Sequence, residues 1–265
     1  MTKVIVFDLD ETIGHFMQIS ELDWKLKRYF GKDITKKHFF KILDIFPEVF
    51  RPNIFNIFRY LHRMKEYNKK NNKEKIKIII YTNNTGCRMW ANRIKSYIEK
   101  SINYKLFDRT ICAWKVDGQI IEKHRTGYDK KYFDLLRCGH LKKRDKIIFL
   151  DDSFFPKMMN PQLTYLHVTP YNFRFNREHM FRRYVNKIDL PFKDKFNISK
   201  MYIKNIKNSD ECKPNNKSFK IKGKKIEKQI KHFIETSNNR ETIKKKYVKK
   251  NQTRKKTMKQ NYHRI

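Results

Sequence analysis

A doubly wound α/β domain is the fold class this sequence predicts, on three observations. Short apolar runs at Val4–Phe7, Ile76–Tyr81 and Lys146–Leu150 are rich in β-branched residues and have the length of buried parallel strands. Helical stripes fill the gaps between them, giving the order strand, helix, strand, helix, strand. Each run ends on polar residues, DLDET, TNNTG and DDS, at the edge where open α/β sheets bind ligands.

The elements follow in order. After the first strand, residues 14–50 form an insertion of two short helices separated at Gly31, expected beside the site. Arg51-Pro52 opens a helix carrying Ile54, Phe55, Phe58 and Leu61 on one face. Met89, Ile94, Tyr97 and Ile98 mark the helix after the second strand. Residues 105–123 alternate like strands, with Asp117-Gly118 as a hairpin turn. Tyr132, Phe133, Leu135 and Leu136 give another helix, ending before Gly139. Asn-Pro and Thr-Pro steps then predict a winding closing segment, with Tyr165–Val168 a candidate fourth strand. The three tryptophans, Trp24, Trp90 and Trp114, are expected in the core or partly buried.

Composition divides the chain near residue 200. Residues 1–200 carry the apolar runs; residues 201–265 hold 21 Lys and Arg against five Asp and Glu. This Lys-rich tail is expected to be partly helical or disordered, and its last stretch, from Ile243, is too poor in apolar residues to hold a core. A net charge of +36 favours polyanionic partners. No apolar run approaches the ~18 residues of a spanning helix, so no membrane partner is expected. The four cysteines, Cys87, Cys112, Cys138 and Cys212, lack CxxC spacing, which suits reduced thiols in an intracellular chain, cytoplasmic or nuclear. The abundance of Lys, Asn and Ile suits an AT-rich genome, such as that of a large DNA virus.

Carboxylates crowded at strand ends need a cation. Asp8 and Asp10 follow the first strand and Asp151-Asp152 end another, an acidic set that suits Mg²⁺. A nearby lysine and Thr82 add what phosphoryl transfer through an aspartyl-phosphate requires.

With these motifs in order over residues 4–156, the sequence resembles the haloacid dehalogenase superfamily of phosphotransferases. The DLDET start, Arg51-Pro52 and the stretch HRTGYDKKYFDLL, with His124, Arg125, Tyr128 and Lys130, are similar to the phosphatases acting on the C-terminal domain of RNA polymerase II and their small relatives, the FCP/SCP or NLI-interacting-factor-like group. The resemblance implies Asp8 as nucleophile and Asp10 as general acid and base. It implies Thr82 and Lys130, with Lys131 as the alternative, as groups steadying the phosphoryl. Metal contacts fall to Asp8, Asp10 (through its backbone carbonyl), Asp151 and Asp152; Thr12, Asn83 and Arg51 are the substrate-binding candidates. The group usually has strand-like residues before Arg-Pro and an Ala/Ser-rich stretch after the second motif. Here residues 14–50 read as helical, and Asn83-Asn84-Thr85-Gly86 follows Thr82.

The function so implied is Mg²⁺-dependent hydrolysis of a phosphomonoester, on phosphoserine or phosphothreonine of a protein such as a polymerase tail. The basic tail motivates two alternatives, a polynucleotide end phosphatase and a catalytically silent nucleic-acid-binding scaffold.

Overall fold

The computed structural model describes residues 1–86, 89–203 and 215–236. The expected mobile stretch from Ile243 lies outside these residues. Five parallel strands form the central sheet in the order β3-β2-β1-β6-β7, flanked by helices. They are β1 (Thr2–Phe7), β2 (Lys75–Tyr81), β3 (Arg109–Ile111), β6 (Lys146–Asp151) and β7 (Leu163–His167). The central strand β1 is solvent-free from Val4 to Phe7 because both its faces are covered.

Alternate residues of β1 serve opposite layers. Val4 and Val6 join Ile79, Tyr81 and Phe149 in a cluster closed by Tyr132, Leu135 and Leu136 of α5 (Tyr132–Cys138). Phe7 packs edge-on against Phe58 of α3 (Ile54–Lys70), which meets Phe107 in the same way. Burying such a side chain is worth about 1.5–3 kcal/mol, so the sheet is clamped from both sides. The remaining strands, β4 (Lys115–Val116) and β5 (Gln119–Ile120), form a small hairpin. Asp117 and Gly118 at its turn have φ of 48° and 78°, the twist a two-residue hairpin requires.

The insertion is helical. α1 (Met17–Phe30) stops at Gly31, which takes a left-handed φ of 66°, and α2 (Lys36–Ile45) starts at Thr35, whose side chain accepts from the His38 amide. α4 (Trp90–Ser101) follows β2, while α6 (Arg177–Lys187) and α7 (Phe192–Ile203) come after β7. α8 (Asn216–Glu235) lies within the region predicted as tail. The chain divides into two compact units, Met1–Glu227 and Lys228–Ile265. Within the first, Phe219 of α8 sits edge-on to Tyr171, and Asn53 donates to Glu227 at 2.8 Å. Cys112 is disulfide-bonded and Cys138 is a free, buried thiol. The bridge departs from the reduced cysteines expected, because the absence of CxxC spacing excludes only that one spacing.

Arg51 anchors the loop after β1. Its guanidinium is buried and donates to the carbonyls of Thr12 (2.6 Å), Glu11 (2.5 Å) and Thr169 (2.8 Å), beneath the Tyr171 and Phe219 rings. Replacing it by methionine keeps the apolar stem and strands the Thr12 and Thr169 carbonyls, while the Glu11 carbonyl keeps the Tyr171 amide at 2.9 Å. Arg51→Met is therefore expected to lower stability by about 3 kcal/mol or more, read as a shift in the urea midpoint. A loss below about 0.5 kcal/mol, the scale of an ordinary surface change, contradicts this role.

Candidate active site

The acidic site sits at the carboxyl ends of β1 and β6. These strands are hydrogen-bonded neighbours, and the Asp8 amide extends the ladder by donating to the Leu150 carbonyl at 2.8 Å. That register brings Asp8 and Asp151 face to face. Lys130, delivered by the loop before α5, is 2% exposed; its Nζ donates to Asp8 Oδ1, and to Asp151 Oδ2 at 2.6 Å. The ammonium also lies within 5.3–5.7 Å of the Tyr81, Phe149 and Phe155 ring centroids. Its aromatic walls and its two carboxylates fix it in place. Lys131 points elsewhere, onto the Thr126 hydroxyl at 2.8 Å.

The loop after Asp8 doubles back tightly. Glu11 takes a positive φ of 59° and its amide donates to the Gly14 carbonyl at 2.6 Å. Gly14 is required here, since a Cβ would fall 2.5 Å from the Val49 carbonyl oxygen. Strain of this kind persists only where surroundings enforce it, and Arg51 does so from below. Thr12 is buried and exchanges hydrogen bonds with Asp152, donating to Oδ1 at 2.9 Å and accepting from the amide at 3.1 Å.

The end of β2 supplies the opposite wall. The Thr82 hydroxyl accepts from the Asn84 amide at 3.0 Å, and Asn84 Nδ2 donates to Asp10 Oδ2 at 2.8 Å. Arg125 is buried and donates to the Thr82 and Cys112 carbonyls, to the Tyr128 carbonyl and to Asn83 Oδ1 at 2.7 Å. It ties the lysine loop to the loop after β2. His124 is exposed.

Eight of the nine candidates from the sequence thus meet around one point. Asp8, Asp10, Thr82, Asn83, Lys130, Asp151 and Asp152 line a cleft of about 420 Å³, with Thr12 just behind through Asp152. Arg51 lies beneath the loop and touches backbone only through its hydrogen bonds. Sequence reasoning missed Asn84 as the partner of Asp10 and Arg125 as the brace. The signal for Asn84 was present: in TNNTG its amide can turn back to Thr82 while its side chain faces forward.

Oxygen atoms of Asp8, Asp151 and Asp152 all lie within 4.8 Å of one another, so this cluster can hold a metal ion. An all-carboxylate donor set fits a hard cation. Asp10 stands outside the cluster, committed to Asn84. Comparison with protein-family models, curated proteins and solved structures finds no match for this chain.

Burial pushes the Asp8 carboxyl up to about 7, against the pull of Lys130 and with the repulsion of Asp151. Asp10 and Asp151 are raised as well, chiefly by burial. A raised carboxyl means that between its ordinary 3.8 and about 7 the folded chain binds more protons than the unfolded one. The contribution of Asp8 to stability therefore falls as pH rises through that window. In chelator, Asp8→Asn is expected to melt a few degrees above wild type at pH 8, with the gain shrinking towards pH 4. Adding a divalent cation should raise the melting temperature of wild type and leave that of the variant nearly unmoved. A variant that melts below wild type at pH 8 in chelator contradicts this electrostatic account.

Proposed function

We propose that this chain is a Mg²⁺-dependent phosphomonoester hydrolase of the haloacid dehalogenase type, most similar in design to the FCP/SCP-like phosphatases. The observation that carries the reading is the Asp8–Lys130–Asp151 bridge, with Asp10 two residues beyond Asp8 and a metal-competent carboxylate cluster at the same strand ends. A sheet with Asp8 at the end of its central strand and a topological switch beside it also supports it.

In this reading Asp8 attacks phosphorus through its free carboxylate oxygen. The bond from phosphorus to the leaving oxygen breaks, and Asp10, carrying a proton, delivers it to that oxygen. Asp10 then takes a proton from water, which cleaves the aspartyl-phosphate and returns Asp8 with release of phosphate. The raised affinity of Asp10 for a proton suits the first of these steps. Asn84 orients the Asp10 carboxyl, and Lys130 stabilises charge on the transferring group while holding Asp8 at one rotamer. Thr82 offers a hydroxyl, and the loop 82–84 backbone, to the phosphoryl oxygens. Asp8, Asp151 and Asp152 would hold the Mg²⁺, which would neutralise phosphate charge. The resemblance names phosphoserine or phosphothreonine of a protein as the substrate, and the net charge of +36 suits recruitment to a polyanionic partner.

With Mg²⁺, wild type is expected to hydrolyse small phosphomonoesters. Asp8→Asn should abolish turnover and Asp10→Asn should lower kcat by about 10²–10⁴-fold, both with the far-ultraviolet circular dichroism of wild type. Retained turnover in Asp8→Asn contradicts the assignment of the nucleophile.

A further inference from the structure

A second cavity opens beside the acidic cleft and shares Asp10, Glu11 and Asn84 with it. Its volume of about 530 Å³ suits a small organic group. One wall is α1, presenting Met17, Ser20 and Trp24; the other is the start of α4, presenting Met89 and Trp90. Trp24 was expected in the core or partly buried, yet it is 58% exposed, and Met17 and Met89 are exposed with it. Three large apolar side chains in water around one cavity are unusual unless something covers them.

The polar groups of the lining bear on what that is. The two basic side chains of this cavity are already committed: Arg93 clasps Asp23 at 2.9 and 3.1 Å, and Lys27 pairs with Asp33 at 2.9 Å. Towards the acidic cleft stand the Asp10 and Glu11 carboxylates, and the Arg174 guanidinium acts on both Glu11 and His15. Among the described lining residues, then, both cations are held in ion pairs. At its floor His15 is 5% exposed, and among the described residues its Nε2 has no hydrogen-bond partner. A buried ring nitrogen without a partner is costly unless a ligand group meets it.

We propose that this cavity is the leaving-group site of the phosphoryl-transfer centre and takes a ring-bearing organic group stacked on Trp24, with His15 meeting a polar atom of that group. The assignment rests on the hydrolase reading but, by requiring a ring on the leaving oxygen, replaces phosphoserine or phosphothreonine as the substrate. If Asp10 protonates the leaving oxygen, that oxygen lies where the two cavities join, and the group it carries extends between α1 and α4. The insertion of residues 14–50 then selects the substrate.

The test compares 2-phenylethyl phosphate with ethyl phosphate. Both have an aliphatic leaving oxygen of similar basicity, so the ratio of their kcat/KM values isolates the ring. Wild type is expected to prefer the phenyl compound by about tenfold or more, the scale of stacking on an aromatic side chain. Trp24→Ala should collapse the ratio towards unity and Trp24→Phe should keep most of it; Trp24 is exposed, so neither change threatens folding. Phosphotyrosine amide and thymidine 5′-monophosphate distinguish a phenolic from a nucleoside source. Equal use of the two alkyl esters, or a preference untouched by Trp24→Ala, overturns the proposal. Equilibrium binding of both esters to Asp8→Asn separates the remaining case. A ring preference in binding with no turnover by wild type keeps the cavity and removes the hydrolase. Binding without ring preference removes the cavity whatever the turnover.

Discussion

A single buried ammonium, Lys130, decides what the strand ends of this sheet can be. Asp8 and Asp151 face each other because β1 and β6 are adjacent and in register, and burial makes their mutual repulsion expensive. Lys130 donates to both, walled by Tyr81, Phe149 and Phe155. An arginine fork would need more room, whereas a compact point charge fits between two carboxylates. The bridge leaves the site short of positive charge, since Asp10 and Asp152 are beside it. A residual negative charge of this kind is what a cation and a phosphoryl group can share.

Holding Asp8 and Asp10 on that spot requires a loop that no ordinary turn provides. Glu11 accepts a left-handed backbone, Gly14 lets the chain pass against Val49, and Arg51 gathers the carbonyls of Glu11 and Thr12 from beneath. Arg51 is therefore a positioning residue in this fold, its guanidinium bonded to loop carbonyls. Arg125 does the same on the other side, joining the lysine loop to Thr82 and Asn83. Two buried guanidiniums, each spent on backbone carbonyls, brace the two loops between which substrate would lie.

Much of this was legible in the sequence, for reasons that can be named. β1, β2 and β6 announce themselves because a strand buried on both faces must be continuously apolar, and their polar ends mark the ligand edge. The helices of residues 14–50 and the Asp117-Gly118 turn follow from periodicity and from φ preference. Choosing Lys130 over Lys131 took the resemblance, because neighbouring lysines look alike until one is seen buried. The role of Arg51 stayed hidden because a guanidinium serves carbonyls and phosphates equally well. Trp24 misled for a related reason: a tryptophan at helical spacing reads as core, and its exposure depends on how far α1 stands from α4. The pairing of Asn84 with Asp10 depends on where two strand-end loops meet, which no local pattern reports.

The most direct test of the central claim is chemical capture of the Asp8 intermediate. Wild type is mixed with Mg²⁺ and a phosphomonoester, quenched in acid and reduced with borohydride, which converts an acyl phosphate of aspartate to homoserine. Peptide mass spectrometry is then read across residues 4–16. The account predicts homoserine at position 8 alone, dependent on substrate and absent from Lys130→Met, where Asp8 loses its anchor. Turnover with an unmodified Asp8, or with the phosphoryl group trapped on another side chain, would contradict it.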